Sequence, residues 1–548
     1  MSVPDATLNQ RNRWLRWTCL LILGVTLARA VYILFLCPYV LAEDEAHYWE
    51  WAARLDWSYY SKGPGVAWSI WLATTLFASD SEGVVRLPAV VSGAFLAGAV
   101  ALTARRVYRG SPASGRITFL AAALALLTPA YQLPALVMTI EGPYLACWAL
   151  AALALLVAFD PSAEPKRRVW PWIAFAAALG VGFLYKYTIL LMLPGLVGFA
   201  LTQRRHIARP PVAAWIGAIV VAALALSPVI IWNAANDWVT VRHLAGHLGL
   251  SWGDQPTGPG GGGWSYNPLW TLELIGTQLG IAGVTVALGV VGALRSRSTT
   301  EPSTRTAEAL MLWLAIPIVV FYLLVTLKTD AEANWPIAGY LTLLPLAARA
   351  IADPIVRPKL TRGLWRAAIG LGLFSGIVML RLDLLAAGIR ALGPEISAGR
   401  LLSGEPLARD IHALRLELSE ETGLDAMIIG RHYGRCSQLA YYLPDRQTRE
   451  PRTVYCAASY TGGRKSQADF WDDTDLANLT IMAGRPAVLL SGTAEHWQPA
   501  FDRVVEIPNV PSDHKGDERT LFLGYGYRGF GATESTPPAS GHAQEPRG

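Results

Sequence analysis

The sequence AEDEAHYWEWAARLDWSYYSKGPG, residues 42–65, directly follows an apolar segment long enough to cross a bilayer. It contains three consecutive acids, a run of aromatic residues and a lysine in front of a Gly-Pro turn. Trp and Tyr concentrate where a membrane meets water, because their rings combine an apolar body with a polar edge. The stretch therefore predicts a loop at a membrane surface that carries the densest acid cluster of the chain.

The composition of the whole chain agrees with a membrane protein. Of its 548 residues 53% are hydrophobic and only 16% are charged, with a mean hydropathy of +0.32, whereas soluble domains carry about 25% charged residues. The net charge of +5 is small and gives no reason to expect a nucleic-acid partner. The five cysteines show no metal-ligand spacing, and Cys436 and Cys456 could form a disulfide if their region is extracytoplasmic.

Apolar segments of roughly 20 residues predict helices that cross the membrane. About eleven such segments occur, and they lie at 15–36, 84–104, 117–133, 143–159, 170–185, 189–201, 213–232, 269–294, 309–327, 335–348 and 364–382. The segment 66–77 is too short to span comfortably, and it predicts an interfacial or re-entrant helix.

The distribution of basic residues predicts the orientation of these spans. Arg and Lys cluster in alternate loops, and by the positive-inside rule those loops and the N-terminus are cytoplasmic. The rule also requires a break at Lys186, because one helix over 170–201 would place the arginines of 204–209 on the wrong face. The opposite, extracytoplasmic face collects several acids and few bases. These are Glu43, Asp44, Glu45, Glu50, Asp56, Glu141, Asp330 and Glu332, with Arg54, Lys62, Lys186, Arg242 and Lys328.

Acids facing sparse bases outside the membrane suggest a site, although each residue also has a simpler interpretation. A helix beginning at Glu43 would separate Asp44 and Glu45 by about 100°, so that both could face one cavity, or both could merely contact water. Lys62 could snorkel to the interface. Glu141 could simply stabilise the start of a helix.

The chain becomes polar after residue 382, which predicts three regions. Residues 1–382 form a transmembrane domain whose first extracytoplasmic loop is 38–83. Residues 383–531 form a small extracytoplasmic α/β domain with a helix at 405–422 and strands at 427–430, 453–456, 487–491 and 503–507. Residues 532–548 are rich in Pro, Ser and Gly and predict a disordered tail. The glycine run at 258–263 predicts a linker or a mobile lid.

The loop at 42–68, AEDEAHYWEWAARLDWSYYSKGPGVAW, resembles the first extracytoplasmic loop of membrane glycosyltransferases of the GT-C fold. The resemblance is to the bacterial branch related to protein O-mannosyltransferases (glycosyltransferase family 39) and to the lipid A aminoarabinose transferase (family 83). Further stretches resemble this branch in order along the chain. They are MTIEGPYLACWAL (138–150), LYKYTILL (184–191), SPVIIWNAANDW (227–238), TQLG (277–280), EANWPIAGYL (332–341) and GRKSQADFW (463–471).

The resemblance implies a polytopic GT-C enzyme that inverts the anomeric centre of a sugar carried on a polyprenyl phosphate. Asp44 corresponds to the base that activates the acceptor hydroxyl, with Glu45 in support, and Glu141 to a second acid, although Asp is common there. Lys62 corresponds to the lysine that contacts the leaving phosphate. Weaker phosphate-binding candidates, chosen by their side of the membrane, are Arg242 and Lys186. Further candidate cavity residues are His47, Tyr59, Tyr60, Lys328, Glu332 and Asn334.

Other features stay open at this point. The sequence requires no cofactor, and a divalent cation, Mg²⁺ or Mn²⁺, between Asp44 and Glu141 is neither required nor excluded. The acceptor is lipid A, another envelope glycan or lipid, or a protein hydroxyl, and the sugar is not readable. The alternatives are a lipid or sugar transporter or flippase, which would favour inverted repeats, and an inactive accessory subunit, which would not need to retain these charged residues.

Overall fold

The computed structural model describes residues 5–531 except 163, 249, 251, 255–265, 297–300, 356, 386–403, 445–452 and 511–518. The described residues belong to two compact units, a helical one up to residue 385 and an α/β one from residue 404. The predicted tail at 532–548 and the glycine run at 258–263 lie outside the described residues. The predicted domain boundary at 382–383 stays a prediction, because the connection from 386 to 403 is not described.

The first unit is helical throughout. Its described helices are α1 (Asp5–Val31), α2 (Glu43–Ala52), α3 (Gly65–Leu76), α4 (Glu82–Val107), α5 (Ser114–Leu127), α6 (Pro129–Gln132), α7 (Glu141–Ala158), α8 (Val169–Tyr185), α9 (Met192–Gln203), α10 (Val212–Ala235), α11 (Val239–His247), α12 (Pro268–Ile281), α13 (Gly283–Ser296), α14 (Pro302–Val325), α15 (Ala338–Leu341), α16 (Leu344–Ala352) and α17 (Pro358–Leu380). A π-helical turn, Tyr32–Leu36, continues α1.

Each predicted apolar segment coincides with one or more of these helices, which confirms a polytopic helical membrane fold. Within the described residues, six helices are long and apolar enough to cross a membrane, or up to eight spans if each of two bent pairs counts as one. The remaining apolar helices, among them α3, α8 and α16, are shorter. The count of about eleven spans therefore stays a prediction.

Two of the predicted spans are sharply bent rather than straight. The axes of α5 and α6 differ by 77°, because Thr128 precedes a proline and adopts an extended backbone that cannot continue the helix. The axes of α12 and α13 differ by 82° at Ala282. A third break occurs at Lys186, where the distribution of basic residues predicted one. Helix α8 ends at Tyr185, and the backbone of Lys186 is extended at φ −148° and ψ 119°.

The core of this unit is formed where α7 packs between α4 and α8. Its inward residues include Tyr144, Trp148 and Leu155, all fully buried. Gly142 lets the start of α7 approach the preceding loop, because an added Cβ would stand 2.4 Å from the carbonyl oxygen of Pro134. Close packing around α7 therefore fixes the position of Glu141, its first residue.

The second unit is the predicted small α/β domain. Its strands are β1 (Met427–Gly430), β2 (Val454–Cys456), β3 (Ala487–Leu490), β4 (Phe501–Val510) and β5 (Arg519–Tyr527), in the sheet order β2-β1-β3-β5-β4. Strand β1 pairs in parallel with β2 and with β3, whereas β5 pairs antiparallel with β3 and with β4. Its helices of four residues or more are α18 (Gly404–Thr422), α19 (Tyr433–Tyr442), α20 (Leu479–Met482) and α21 (Ala494–Trp497).

Four of the five strands and the helix at 405–422 match their predictions within a few residues, whereas β5 was missed. Two glycines, Gly524 and Gly526, interrupt the alternation of apolar residues in β5 and weaken its pattern. The sheet is covered on both faces, and β1 is completely buried. Cys436 and Cys456 are both buried free thiols in this core.

Candidate active site

The three acids that open α2 have different environments. Glu45 is fully buried, and its Oε2 accepts a hydrogen bond from the backbone N–H of Ala42 at 2.9 Å, which caps the helix. The same carboxylate forms an ion pair with Arg86 at 2.7 Å and accepts the N–H of Met138 at 2.8 Å. Asp44, one residue earlier, is exposed. The expectation that Asp44 and Glu45 face one cavity is therefore wrong, because Glu45 turns inward to Arg86.

Arg86, near the start of α4, was not singled out in the sequence. Its guanidinium also donates to the carbonyl oxygens of Tyr39, at 3.1 Å, and Val40, at 2.8 Å. The Glu45–Arg86 pair thus joins the loop after α1, the start of α2, α4 and the loop before α7. A buried arginine at the edge of an apolar span is rare enough to have been a signal. This geometry makes Glu45 a residue that positions α2, which corresponds to the supporting part of its predicted role.

Glu141, Lys186 and Asn334 come together from three segments that are far apart in the sequence. The buried Oε1 of Glu141 accepts from Lys186 Nζ at 3.2 Å and from Asn334 Nδ2 at 2.7 Å. The side chains of Glu141 and Lys186 are each only 10% exposed. Because a buried charge requires a compensating partner, the carboxylate and the ammonium neutralise each other here.

Lys62 lies beside this group, in the turn before α3. Gly63 and Gly65 allow the turn to pack on the end of α8, since a Cβ on Gly63 would stand 2.4 Å from the carbonyl oxygen of Leu184. Burial lowers the pKa of Lys62, although the carboxylates of Asp44 and Glu141 act in the opposite direction. Among the described residues, Lys62 has no ion-pair partner. It is thus a cation close to two acids and available to bind an anion.

Gly63→Ala is expected to reduce activity strongly while leaving the chain folded. The new methyl group would meet backbone rather than a flexible side chain, so the turn must move and displace Lys62. A displacement of about 1 Å in a site can lower the rate about 10²-fold. The matched control is Gly98→Ala in α4, where an added Cβ meets nothing within 4 Å. Equal sugar transfer by the two variants at equal abundance in the membrane would contradict the assignment of this turn.

The other candidate cavity residues fall into two groups. Three are buried in aromatic and polar packing: Tyr59 stacks on Trp51 with ring centroids 4.3 Å apart, His47 contacts the same Trp51, and Tyr60 donates to Asp254 and packs on His243. Arg242 and Glu332 are exposed and Lys328 is half-buried. Among the described residues, no hydrogen bond or ion pair connects these last three with Glu141 or Lys62.

Gln278 in α12 is a further residue that the sequence did not single out, although its TQLG string was noted. Its Nε2 donates to the carbonyl oxygen of Ala333 at 2.8 Å. This bond holds the loop that carries Asn334, and Asn334 in turn contacts Glu141. Gln278 is therefore a positioning residue for the Glu141 group.

A metal between Asp44 and Glu141 gains no third His, Cys, Asp or Glu ligand from the described residues. Glu141 Oε1 is already engaged by two nitrogen donors. In the part of the chain that the structure describes, no group of three or more His, Cys, Asp or Glu side chains is arranged to hold a metal ion. The sequence left a divalent cation at this place neither required nor excluded, and the described residues do not form a metal-binding set there.

The arrangement combines three chemical capacities. Asp44 offers an accessible carboxylate that can accept a proton. Lys62 offers a cation that can stabilise a developing anion. The Glu141–Lys186–Asn334 group offers a buried, nearly neutral platform beside Lys62. A base and a cation together suit the transfer of a group from an anionic leaving group to a hydroxyl.

Comparison with known proteins gives three related matches. Residues 61–232 match the family described as dolichyl-phosphate-mannose-protein mannosyltransferase. The lipid A galacturonosyltransferase RgtD of Rhizobium johnstonii is 28% identical over 327 residues, which cover 59% of this chain and 62% of that protein. The aligned region thus spans less than two thirds of that relative's length.

The crystal structures of ArnT from Cupriavidus metallidurans, apo and bound to undecaprenyl phosphate, share the fold. Each superposes with a TM-score of 0.57 over 92% of this chain and 97% of the other, at 15% and 17% identity respectively. The helical membrane unit and the small C-terminal sheet domain occur together in this fold. The resemblance expected from the loop at 42–68 is confirmed.

Proposed function

We propose that this multi-pass membrane protein, which has the GT-C fold and is related to the dolichyl-phosphate-mannose-protein mannosyltransferase family, is an inverting glycosyltransferase. It moves a sugar from a polyprenyl phosphate to an acceptor outside the cytoplasm. The observation that carries this proposal is Lys62, a partly buried cation in a turn packed on the end of α8, with the carboxylates of Asp44 and Glu141 in its electrostatic surroundings and no ion-pair partner among the described residues.

Lys62 binds the phosphate of the donor in this mechanism. The bond from the anomeric carbon to the phosphate oxygen breaks in the reaction, and its electrons pass to the phosphate. A fixed ammonium stabilises the negative charge that then develops. Lys186 is already neutralised by Glu141, so the phosphate meets one uncompensated cation rather than two. A bound undecaprenyl phosphate in an ArnT structure of the same fold supports this class of donor.

Asp44 is the base in this mechanism. It accepts the proton of the acceptor hydroxyl while the hydroxyl oxygen attacks the anomeric carbon on the face opposite the phosphate. Attack from that face inverts the configuration. Asp44 lies in the first turn of α2, where the helix dipole favours a negative charge, and its exposure lets an acceptor reach it. Glu45 keeps this turn in place through Arg86.

The acceptor that we test first is lipid A or a related envelope glycolipid. The support is the similarity to the lipid A galacturonosyltransferase of Rhizobium johnstonii. The proposed location is the bacterial inner membrane with the N-terminus in the cytoplasm, since basic residues cluster in alternate loops. Asp44, Lys62 and Glu141 then face the extracytoplasmic side, where a lipid-linked sugar replaces a nucleotide sugar as the donor.

The alkaline limb of the pH profile should report on Lys62. Because burial lowers the pKa of Lys62, its charge is present below that pKa and is lost as the pH rises through it. We expect kcat/KM to fall at a pH below the ordinary lysine range, and Lys62→Arg to move this fall to higher pH, since arginine stays protonated. Lys328→Arg, a lysine in another loop, is the control. Identical alkaline limbs for wild type and Lys62→Arg would contradict the phosphate-binding role.

Mass spectrometry of envelope lipids, polysaccharides and glycoproteins from a deletion strain tests the function. If the proposal holds, one class of molecule loses a sugar in the deletion strain, and the wild-type gene restores it. Loss of the sugar with accumulation of its lipid-linked form on the cytoplasmic side would instead favour a flippase. An unchanged set of glycans would contradict the transferase assignment.

A further inference from the structure

The second unit has a basic edge that the proposed reaction does not use. Its parallel strands end together, since Gly430 of β1 is paired with Cys456 of β2 and with Leu490 of β3. The chain leaves β1 through α19 to β2 on one side, while β3 lies on the other side of β1. The connections thus diverge between β1 and β3. In open α/β sheets, ligands bind in the crevice at the carboxyl ends of strands at such a point.

Arg431 follows β1 directly and lies at this crevice. Its Nη2 donates to the carbonyl oxygen of Thr461 at 2.8 Å. Its Nε is buried and has no hydrogen-bond partner among the described residues, and the guanidinium forms no ion pair with them. A buried donor of a charged group that lacks an acceptor is strongly destabilising. The oxygen atoms of a bound anion would supply the hydrogen-bond acceptor and the negative charge that this guanidinium lacks.

Arg464, in the loop after β2, resembles Arg431 in having an unsatisfied donor. It follows a turn in which the N–H groups of Thr461 and Gly463 both donate to the carbonyl oxygen of Ala458. The carbonyl oxygen of Thr461 in this turn is the one that accepts from Arg431. Within the described part of the chain, Arg464 Nη1 is also buried without a hydrogen-bond partner. Two arginines from different loops therefore each have a buried N–H donor that lacks a hydrogen-bond acceptor among the described residues.

Further basic residues lie next to these two arginines in the sequence. Arg435, in the first turn of α19, is four residues after Arg431, and Lys465 follows Arg464. Of the acids that follow in the same loop, Asp469 accepts hydrogen bonds from the hydroxyl groups of Ser459 and Ser466 and from the N–H of Ser466. The hydrogen bonds of the Asp469 carboxylate therefore stay within its own loop.

The loop after β3 leaves room for Arg431. Gly492 has a φ of +86°, and a Cβ added to it would stand 2.9 Å from Cδ and Nη1 of Arg431. Ser491, just before it, has a φ of +70°, which is uncommon for a residue with a side chain. Backbone strain of this kind concentrates at binding and catalytic sites. The guanidinium of Arg431 thus lies against the loop on the far side of the crevice.

We propose that the carboxyl edge of this sheet binds a phosphate group, carried either by the headgroup of a glycolipid or by a soluble sugar phosphate. Guanidinium groups bind phosphate through paired, charge-assisted hydrogen bonds. The start of α19, at the same edge, adds the positive end of a helix dipole. The residues of this site belong to the second unit, whereas Lys62 belongs to the first.

The test uses the full-length protein in detergent, with inorganic phosphate, glucosamine 1-phosphate and lipid A in mixed micelles as probes. Hydrogen exchange measured by mass spectrometry locates binding, and slower exchange is expected at residues 431–436, 461–464 and 491–493. The double variant Arg431→Gln/Arg464→Gln should weaken this protection at least about tenfold in ligand concentration. Arg409→Gln, which removes an exposed arginine paired with Glu405 in the same unit, should leave it unchanged.

Each outcome decides the proposal or its ligand. Protection by lipid A alone identifies a glycolipid headgroup, and protection by glucosamine 1-phosphate as well identifies any sugar phosphate. Gly492→Ala provides an independent variant, since it displaces Arg431 without removing charge, and it should also weaken the protection. If no probe protects these segments, or if the double variant is protected like wild type, the proposal is overturned. The glycosyltransferase assignment would be unaffected, because transfer activity is measured separately.

Discussion

Asp44→Asn is expected to lower sugar transfer by about 10²–10⁴-fold, the range that a positioned general base contributes. Asparagine has nearly the same size as aspartate but cannot accept the proton of the acceptor hydroxyl. The residue is exposed and the substitution conserves its size, so the protein should reach the membrane at normal abundance. The measurement is the rate of product formation in membranes that contain equal amounts of wild type and variant.

Glu43→Gln provides the matched control for Asp44. Glu43 is the preceding carboxylate in the same helical turn and is partly exposed, so its substitution removes the same charge near the same helix start. It should retain most of the activity. If Asp44→Asn and Glu43→Gln lower the rate to the same degree, the effect is that of general electrostatics at the start of α2, and Asp44 is not the base.

Arg86→Met is expected to destabilise the protein by about 3–5 kcal/mol, since it leaves the charge of Glu45 buried without its partner. Glu45 is fully buried and its ion pair with Arg86 is 2.7 Å long. The pair holds four segments around the first turn of α2, so activity should fall together with stability. The measurement is the thermal unfolding midpoint of the purified protein in detergent.

A double substitution separates the pair from general damage. Glu45→Gln together with Arg86→Met removes both charges, and it should recover part of the stability that Arg86→Met loses. Arg381→Met serves as the surface control, because the Arg381 side chain is 50% exposed and its pair with Asp383 should contribute little to stability. If the double variant is as unstable as the sum of the single variants, no coupling exists and Glu45 has another role.

The sequence predicted the elements of the site better than their arrangement. Hydropathy and the positive-inside rule placed Glu141, Lys186 and Asn334 on one face of the membrane, and the structure brings these three into contact. Lys186 in particular followed from charge alone, since the break there was needed to keep the arginines of 204–209 on the cytoplasmic side. Patterns of hydropathy and charge along the sequence can thus identify residues that share one face of the membrane.

The direction in which a side chain points could not be predicted from these patterns. Asp44 and Glu45 are adjacent and chemically similar, and only the position of Arg86, 41 residues away from Glu45, decides that one is buried and the other exposed. Gln278 reaches Ala333 across a similar gap. Such pairings depend on tertiary packing, to which a local sequence pattern does not respond. The same limit explains the missed strand β5, whose pairing with β3 and β4 compensates for its two glycines.

The most direct test of the central claim is a reaction with purified components. The full-length protein in detergent is incubated with a series of undecaprenyl-phosphate sugars and with lipid A extracted from the deletion strain, and the products are analysed by mass spectrometry and NMR. The account predicts free undecaprenyl phosphate and a glycosylated acceptor with inverted anomeric configuration for one of the donors, with both products formed about 10²–10⁴-fold more slowly by Asp44→Asn. Cleavage of the donor with retained configuration, or equal turnover by Asp44→Asn, would contradict it.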